Sequence, residues 1–274
     1  MQTLNLTNIE KSDIKYEIFH FPDGEVHIKL DVIDRKNEVN VICRITNAEE
    51  LFILMQVGDI LNRQSVKWFL TIYYLMSMRM DRVITFNESF SLKVVTDMIN
   101  SLHPCLIKVI HPHSERTIEL LNCFVECSLH PNYKDFEGDV QLCYPDKGAM
   151  ERYSESYRSN YPVLIGEKIR NLNTGKIESI VIKNPEDYKH LPVMVIDDLC
   201  DAGGTFLGIN KAIKEIDDKA KVSISIIHMV NERGIDNLSR TFDYVYFTNS
   251  YKNWNNLPDN CIMFDVDCLF EELT

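Results

Sequence analysis

Cationic side chains are scarce in this chain: 29 Lys and Arg stand against 41 Asp and Glu, for a formal net charge of −12. Proteins whose main partner is a nucleic-acid backbone ordinarily carry a basic face, so no nucleic-acid partner is expected. A phosphorylated ligand would have to be met by backbone amides, a few placed cations and metal ions. Long apolar runs are missing as well. The strongest, WFLTIYYLM from Trp68 to Met76, is far shorter than the roughly 20 residues that span a bilayer, so no membrane partner is expected. The opening MQTLNLTNIEKSD lacks the basic-then-apolar pattern of a secretory signal, which predicts a cytoplasmic protein with reduced cysteines. None of the eight cysteines forms a CxxC pair, and Cys123 and Cys127 have helical rather than zinc-site spacing. Buried free thiols are therefore expected. Solenoid repeats, low-complexity stretches and Pro/Gly/Ser linkers are absent too.

What is present is an alternating rhythm. With 274 residues the chain has length for about two domains. Short apolar segments rich in β-branched and aromatic residues fall at 39–45, 66–74, 105–110, 140–144, 161–165, 193–196, 222–229 and 244–247. Helix-like patterns lie between several of them, at 48–61, 90–102, 147–157 and 204–216. Such alternation predicts α/β architecture with mainly parallel sheets flanked by helices. Two successive units, 1–130 and 131–274, fit the length. The polar stretch KIRNLNTGKIE, from Lys168 to Glu178, is predicted to be a mobile loop with a functional role.

The segment VIDDLCDAGGTF, from Val195 to Phe206, carries the most chemistry. It reads as a buried strand ending in two acids, followed by a glycine turn and an amphipathic helix. That places Asp197 and Asp198 at the carboxyl end of a strand, where open α/β sheets bind ligands. Gly203 and Gly204 let backbone approach a phosphate, and the helix start offers unpaired amides with a positive dipole end. Asp197 and Asp198 then serve as acceptors for vicinal hydroxyls, while Asp201, Ala202, Gly203, Gly204 and Thr205 cradle a phosphate. The ligand this describes is a ribose phosphate.

The segment resembles the phosphoribosyl-diphosphate fingerprint of the phosphoribosyltransferase fold, and the resemblance extends along the chain. From Phe21 onward it is similar to the ribose-phosphate pyrophosphokinase family, with motifs in the same order. FPDGE resembles that family's F-x-D/N-G-E loop, which implies adenine contacts from Phe21, Asp23 and Glu25 across a subunit boundary. RMDR, from Arg79 to Arg82, stands where the family has R-Q-D-R, implying ATP binding by Arg79, Asp81 and Arg82. HPHS stands for D-L-H-A and places His113 on the metal- and ATP-binding histidine. PDKGA resembles P-D-x-G-G, whose aspartate, here Asp146, faces ribose and metal. Lys168 and Arg170 reproduce the K-x-R of the family's catalytic loop. The resemblance thus implies two tandem phosphoribosyltransferase-type, Rossmann-like domains and a homodimer or higher homo-oligomer. The reaction it implies is Mg2+-dependent transfer of the β,γ-diphosphoryl group of ATP to a ribose phosphate.

Some positions depart from the family pattern. Met80 replaces a glutamine, and His111 replaces the first aspartate of the metal segment. HMVNERGIDNL, from His228 to Leu238, lacks the phenylalanine-serine-glycine segment of the allosteric nucleotide site, so that form of regulation is not expected. The length and PDKGA are similar to shorter archaeal and phage-encoded members. Ala202 stands where the loop usually has threonine, which removes one hydroxyl donor to a 5-phosphate. Ribose 5-phosphate is the first acceptor expected. ADP-ribose, the acceptor of phage relatives in NAD-rebuilding pathways, is the alternative. A catalytically silent, synthetase-associated regulator is a third reading, opposed by the retained Lys168, Arg170, His113 and DDLCDAGGT.

Overall fold

A computed structural model describes residues 1–127, 139–154, 159–170 and 177–271. The chain divides into two compact units, Met1–Ser128 and Leu129–Thr274. The division expected near residue 130 falls outside the described residues.

In the first unit, strands β1 (Gln2–Asn5), β4 (Val39–Ile45), β5 (Trp68–Leu75), β6 (Ile107–Ile110) and β7 (Phe124–Cys127) form one parallel sheet in that order. VNVICRI in β4 alternates buried and half-buried positions, as a strand with one wholly covered face requires. Helix α1 (Ala48–Arg63) follows it, capped by Asn47, whose side chain accepts the Glu50 amide at 3.0 Å. The Glu50 carboxylate returns to the Thr46 amide, one residue before the cap, at 2.6 Å, so side chains tie both sides of the helix start. Leu51, Leu54, Val57 and Leu61 turn one stripe of α1 inward. Helices α2 (Ser91–Asn100) and α3 (Arg116–Leu120) follow later in the unit. Strands β2 (Tyr16–His20) and β3 (Val26–Leu30) form a separate antiparallel hairpin. Gln56 of α1 ties that hairpin down through Ile28 N–H and Val26 C=O, at 3.1 and 3.0 Å.

In the second unit the sheet order is β10-β9-β8-β11-β12-β13-β14. The strands are β8 (Gln141–Tyr144), β9 (Leu164–Arg170), β10 (Ile177–Ile182), β11 (Val193–Cys200), β12 (Val222–Met229), β13 (Val245–Thr248) and β14 (Cys261–Phe264). Helices α4 (Lys147–Tyr153), α5 (Gly204–Ile216), α6 (Glu232–Ser239) and α7 (Val266–Glu271) connect or follow them. Strand β11 shows why the sheet is covered on both faces. Val193 and Val195 join the core beneath Phe206, Ile209 and Ile213 of α5, while Met194 and Ile196 join the core beneath Ala149 and Tyr153 of α4. Each large apolar side chain buried this way contributes about 2 kcal/mol.

From β8 the chain moves outward to β9 and β10, then returns to β11 and proceeds the other way. The sheet therefore reverses direction between β8 and β11, and open α/β sheets bind ligands at such a reversal.

Two expectations require correction. Lys168–Arg170 and Ile177–Glu178 are not loop: they lie in β9 and β10, which pair antiparallel with Ile180 opposite Lys168. Edge pairing satisfies their backbone groups through the ladder, so a polar sequence is tolerated there. Residues 171–176 lie outside the described residues. The cysteines form no disulfide, but Cys127 is half-buried and Cys105, Cys123 and Cys268 are exposed, the last three because they sit before β6, in a turn and on α7 rather than on core-facing positions.

Candidate active site

The first unit presents its expected residues at two places. Phe21, Asp23 and Glu25 form the tip of the β2–β3 hairpin. Gly24 N–H donates to Phe21 C=O and Phe21 N–H to Glu25 C=O, each at 2.8 Å. Asp23 Oδ1 accepts the Glu25 amide at 3.2 Å. Phe21 remains 47% exposed, edge-on to Phe19 with ring centroids 5.3 Å apart. The hairpin thus holds out an aromatic surface that loses little freedom when a planar partner packs on it.

Arg79, Asp81 and Arg82 follow β5, and His113 follows the neighbouring β6. Adjacent strands bring the two segments together: the Ser114 hydroxyl donates to Asp81 Oδ2 at 2.7 Å, and His113 N–H reaches Met78 Sδ at 3.4 Å. Partial burial pushes Asp81 up. The Ser114 hydroxyl and the Arg82 guanidinium, 3.1 Å away, outweigh it and hold the carboxyl below its usual range. Asp81 is thereby an anchor between the segments, while Arg79 and Arg82 are exposed. His111 is buried with φ at 38°, and its amide donates to Cys127 C=O.

The second unit gathers its residues at the reversal point. Asp146, just past the end of β8, caps α4, with Oδ1 accepting the Ala149 amide at 2.9 Å. Its Oδ2 accepts from Lys168 Nζ at 2.8 Å. Burial pushes Asp146 up, but Lys168, the Ala149 amide and the Arg152 charge hold it below its usual range. The side chain of Arg170 lies outside what the structure describes.

Asp197 and Asp198 lie toward the end of β11, next to β8. Asp198 is 2% exposed. Burial and the adjacent Asp198 charge drive Asp197 well above its ordinary value. Arg152, from the last turn of α4, places Nη2 3.5 Å from Asp197 Oδ1 and 3.4 Å from Asp198 Oδ1.

The glycine turn follows. Gly203 takes φ of 84°, a left-handed conformation that side chains disfavour, and caps α5 without any side-chain hydrogen bond. The first amides of α5 are consequently left for a ligand. The turn is pinned from behind by the segment around α6. Asn231 Nδ2 donates to Asp201 Oδ1 and Asn237 Nδ2 to Ala202 C=O, each at 2.9 Å. Gly234 makes this approach possible, since a Cβ there would stand 2.2 Å from the Asp201 carbonyl oxygen. Burial pushes the Cys200 thiol up to about 12, so it stays protonated beneath the turn.

A cavity of about 830 Å³ opens at the turn and is lined by Ala202, Gly204 and Thr205. It continues past Gly208 to Lys211 and Glu215, with β10 on its other side.

Arg152, Asn231, Gly234 and Asn237 are residues that sequence reasoning did not single out. An arginine closing a short helix and asparagines around another are ordinary surface features, so no local signal marks them. Among the described residues, no cluster of three or more His, Cys, Asp or Glu is arranged to hold a metal ion. Among those residues, too, no helix is long and apolar enough to cross a membrane.

No protein-family model matches the chain. It is 24% identical over 254 residues to a ribose-phosphate pyrophosphokinase of Pyrococcus furiosus, covering 88% of each chain. With the protein of that description from Thermococcus kodakarensis it shares 26% over 257 residues, covering 89% of each. With that from Ureaplasma parvum it shares 28% over 236 residues, covering 81% of this chain and 69% of the relative. The fold matches the crystal structure of phosphoribosylpyrophosphate synthetase from Mycobacterium smegmatis with a TM-score of 0.80 at 17% identity. That match covers 97% of this chain and 90% of the other.

Proposed function

We propose that this chain, a relative of the ribose-phosphate pyrophosphokinases, transfers the β,γ-diphosphoryl group of ATP to the anomeric hydroxyl of a ribose phosphate and releases AMP. The observation that carries this reading is the joint position of three features at the sheet reversal: the buried Asp197–Asp198 pair, the uncapped glycine turn and Lys168.

Asp197 and Asp198 accept hydrogen bonds from the ribose hydroxyls, and the amides from Asp201 to Thr205 take the 5-phosphate. With the sugar held at both ends, its anomeric oxygen attacks the β-phosphorus, its proton passing to water, while the bond to the α-phosphate oxygen breaks and AMP leaves. Catalysis of such a transfer is mostly positioning and charge stabilisation. Lys168 and Arg170 supply positive charge to the moving diphosphoryl group. Arg79 and Arg82 hold the remaining phosphates, with Asp81 orienting Arg82 and His113 beside them. Phe21, Asp23 and Glu25 serve the adenine of a neighbouring subunit, which requires at least a homodimer. Sedimentation velocity showing an active monomer would contradict that sharing.

The donor set fits magnesium carried in on the nucleotide rather than caged by protein. Both oxygens of Asp146 already have partners, and Mg2+ keeps water and phosphate oxygens as most of its ligands. His113 and Asp146 would supplement those ligands. When bound, the ion neutralises phosphate charge and polarises the nucleotide.

Ribose 5-phosphate is the first acceptor. ADP-ribose is the second: Ala202 removes a hydroxyl that a terminal phosphate monoester would use, and a cavity whose lining includes the turn, though not Asp197 or Asp198, adjoins it. The test is AMP release from Mg-ATP with each sugar, followed by mass spectrometry of the product. AMP with ribose 5-phosphate supports the first acceptor, and AMP with ADP-ribose alone the second. No AMP with either leaves the silent-regulator reading.

A further inference from the structure

We propose that Arg152 is a positioning residue for the acceptor's diol: its guanidinium holds Asp197 and Asp198 as one oriented pair of hydrogen-bond acceptors and so sets selectivity for a sugar bearing both hydroxyls. This rests on the acceptor chemistry proposed above.

The local geometry is specific. One nitrogen of Arg152 lies 3.5 Å from Asp197 Oδ1 and 3.4 Å from Asp198 Oδ1. Asp197 Oδ1 also accepts the Asp198 amide at 2.9 Å, so that oxygen is fixed from two sides. Arg152 is itself held. Its side chain is 30% exposed, and its guanidinium carbon stands 5.9 Å from the ring centroid of Tyr153. Tyr153 and Ala149 are buried in the core against Met194 and Ile196 of β11, so α4 cannot shift without disturbing the strand that carries the acids. Among the described residues, the other charged groups on or against α4 are themselves paired: Asp146 at its head with Lys168 at 2.8 Å, and Glu151 with Lys147 at 3.1 Å.

The chemistry explains why a cation is needed. Two adjacent carboxylates removed from water repel each other and tend to share a proton. A shared proton turns one acid into a donor, whereas a vicinal diol offers two donors and needs two acceptors. A fixed guanidinium opposes that repulsion in part, burial and Asp198 still leaving Asp197 raised, and, unlike a lysine ammonium, it presents its donors in a rigid plane. Arg152 therefore acts on the substrate through the acids and not by touching the reacting phosphorus.

The test compares ribose 5-phosphate with 2-deoxyribose 5-phosphate in wild type, Arg152→Met, Arg152→Lys and Asp197→Asn, following AMP release with saturating Mg-ATP. In Arg152→Met, KM for ribose 5-phosphate is expected to rise about tenfold or more, the equivalent of one charge-assisted hydrogen bond. Its preference for ribose over deoxyribose should fall by a similar factor, with KM for ATP unchanged. Adding Asp197→Asn should lower that preference little further, because both changes act on one unit. Arg152→Lys keeps the charge and guards against a methionine variant that does not fold. It should show a raised KM and part of the lost selectivity. Where ADP-ribose is the acceptor, KM for ADP-ribose carries the same comparison. A loss of kcat with KM and selectivity intact, or wild-type values for both in Arg152→Lys, overturns the inference while the reaction stands. Absence of AMP from wild type with either acceptor instead overturns the functional reading, and this inference with it.

Discussion

Lys168 on β9 and Asp146 at the head of α4 are joined by a 2.8 Å ion pair that crosses from one strand-end to the next. Asp146 at the same time caps α4 through the Ala149 amide. The lysine is therefore stationed at the head of α4, on the strand next to β8.

Replacing Lys168 with alanine should lower kcat by roughly 10²–10³-fold, the range for removing one donor from a developing charge. KM for ATP should change much less, because Arg79 and Arg82 remain. Steady-state rates of AMP formation check this, and near-normal turnover would remove Lys168 from the mechanism.

Asp197→Asn should make the protein more stable near neutral pH while impairing it as an enzyme. Burial and Asp198 raise Asp197 well above its ordinary 3.8, so between that value and the raised one the folded chain binds more protons than the unfolded chain. Stability then falls as pH rises through this window. The amide carries no such penalty. Its melting temperature should exceed that of wild type at neutral pH, and the two should converge in acid below 3.8. A variant melting below wild type at neutral pH would contradict the buried-repulsion account.

Gly234→Ala tests whether α6 supports the phosphate turn. The added methyl would meet the Asp201 carbonyl at 2.2 Å, a backbone contact that gives way only by moving the turn. Overpacking of this kind costs about 1–3 kcal/mol, and the displaced amides should raise KM for the ribose phosphate. Calorimetric melting and acceptor titration read the two effects, and an unchanged KM would detach α6 from the site.

Two further variants separate the acceptors. Ala202→Thr restores a hydroxyl beside the turn and should shift kcat/KM toward ribose 5-phosphate over ADP-ribose by about tenfold, one charge-assisted hydrogen bond. Lys211→Ala, at the far end of the cavity, should weaken use of ADP-ribose alone. Equal effects of Lys211→Ala on both sugars would argue against an acceptor reaching that far.

The amino-acid order by itself determined the local elements wherever hydrophobic period and end signals agreed. Strand β12 and helix α5 have the same bounds in the sequence reading and in the structure, 222–229 and 204–216. The first, VSISIIHM, sets branched apolar residues among two small serines and one histidine and is buried along its whole length, and the second begins at a glycine turn and keeps one apolar stripe. The DDLCDAGGT turn was legible for the same reason: its glycines and acids state their backbone and charge requirements within nine consecutive residues. Strand β10, IESIVI, was hidden by the polar stretch that precedes it: its start was read with that stretch, although Ile180 and Ile182 are buried in the core. Only the tertiary structure decided that Asp146, Lys168, Arg152 and the Asp197–Asp198 pair share one place. Their meeting depends on β8 lying beside β11 although β9 and β10 intervene in the chain. Sheet order is set by how whole strands and helices bury one another, and no local pattern around an arginine or an asparagine carries that information.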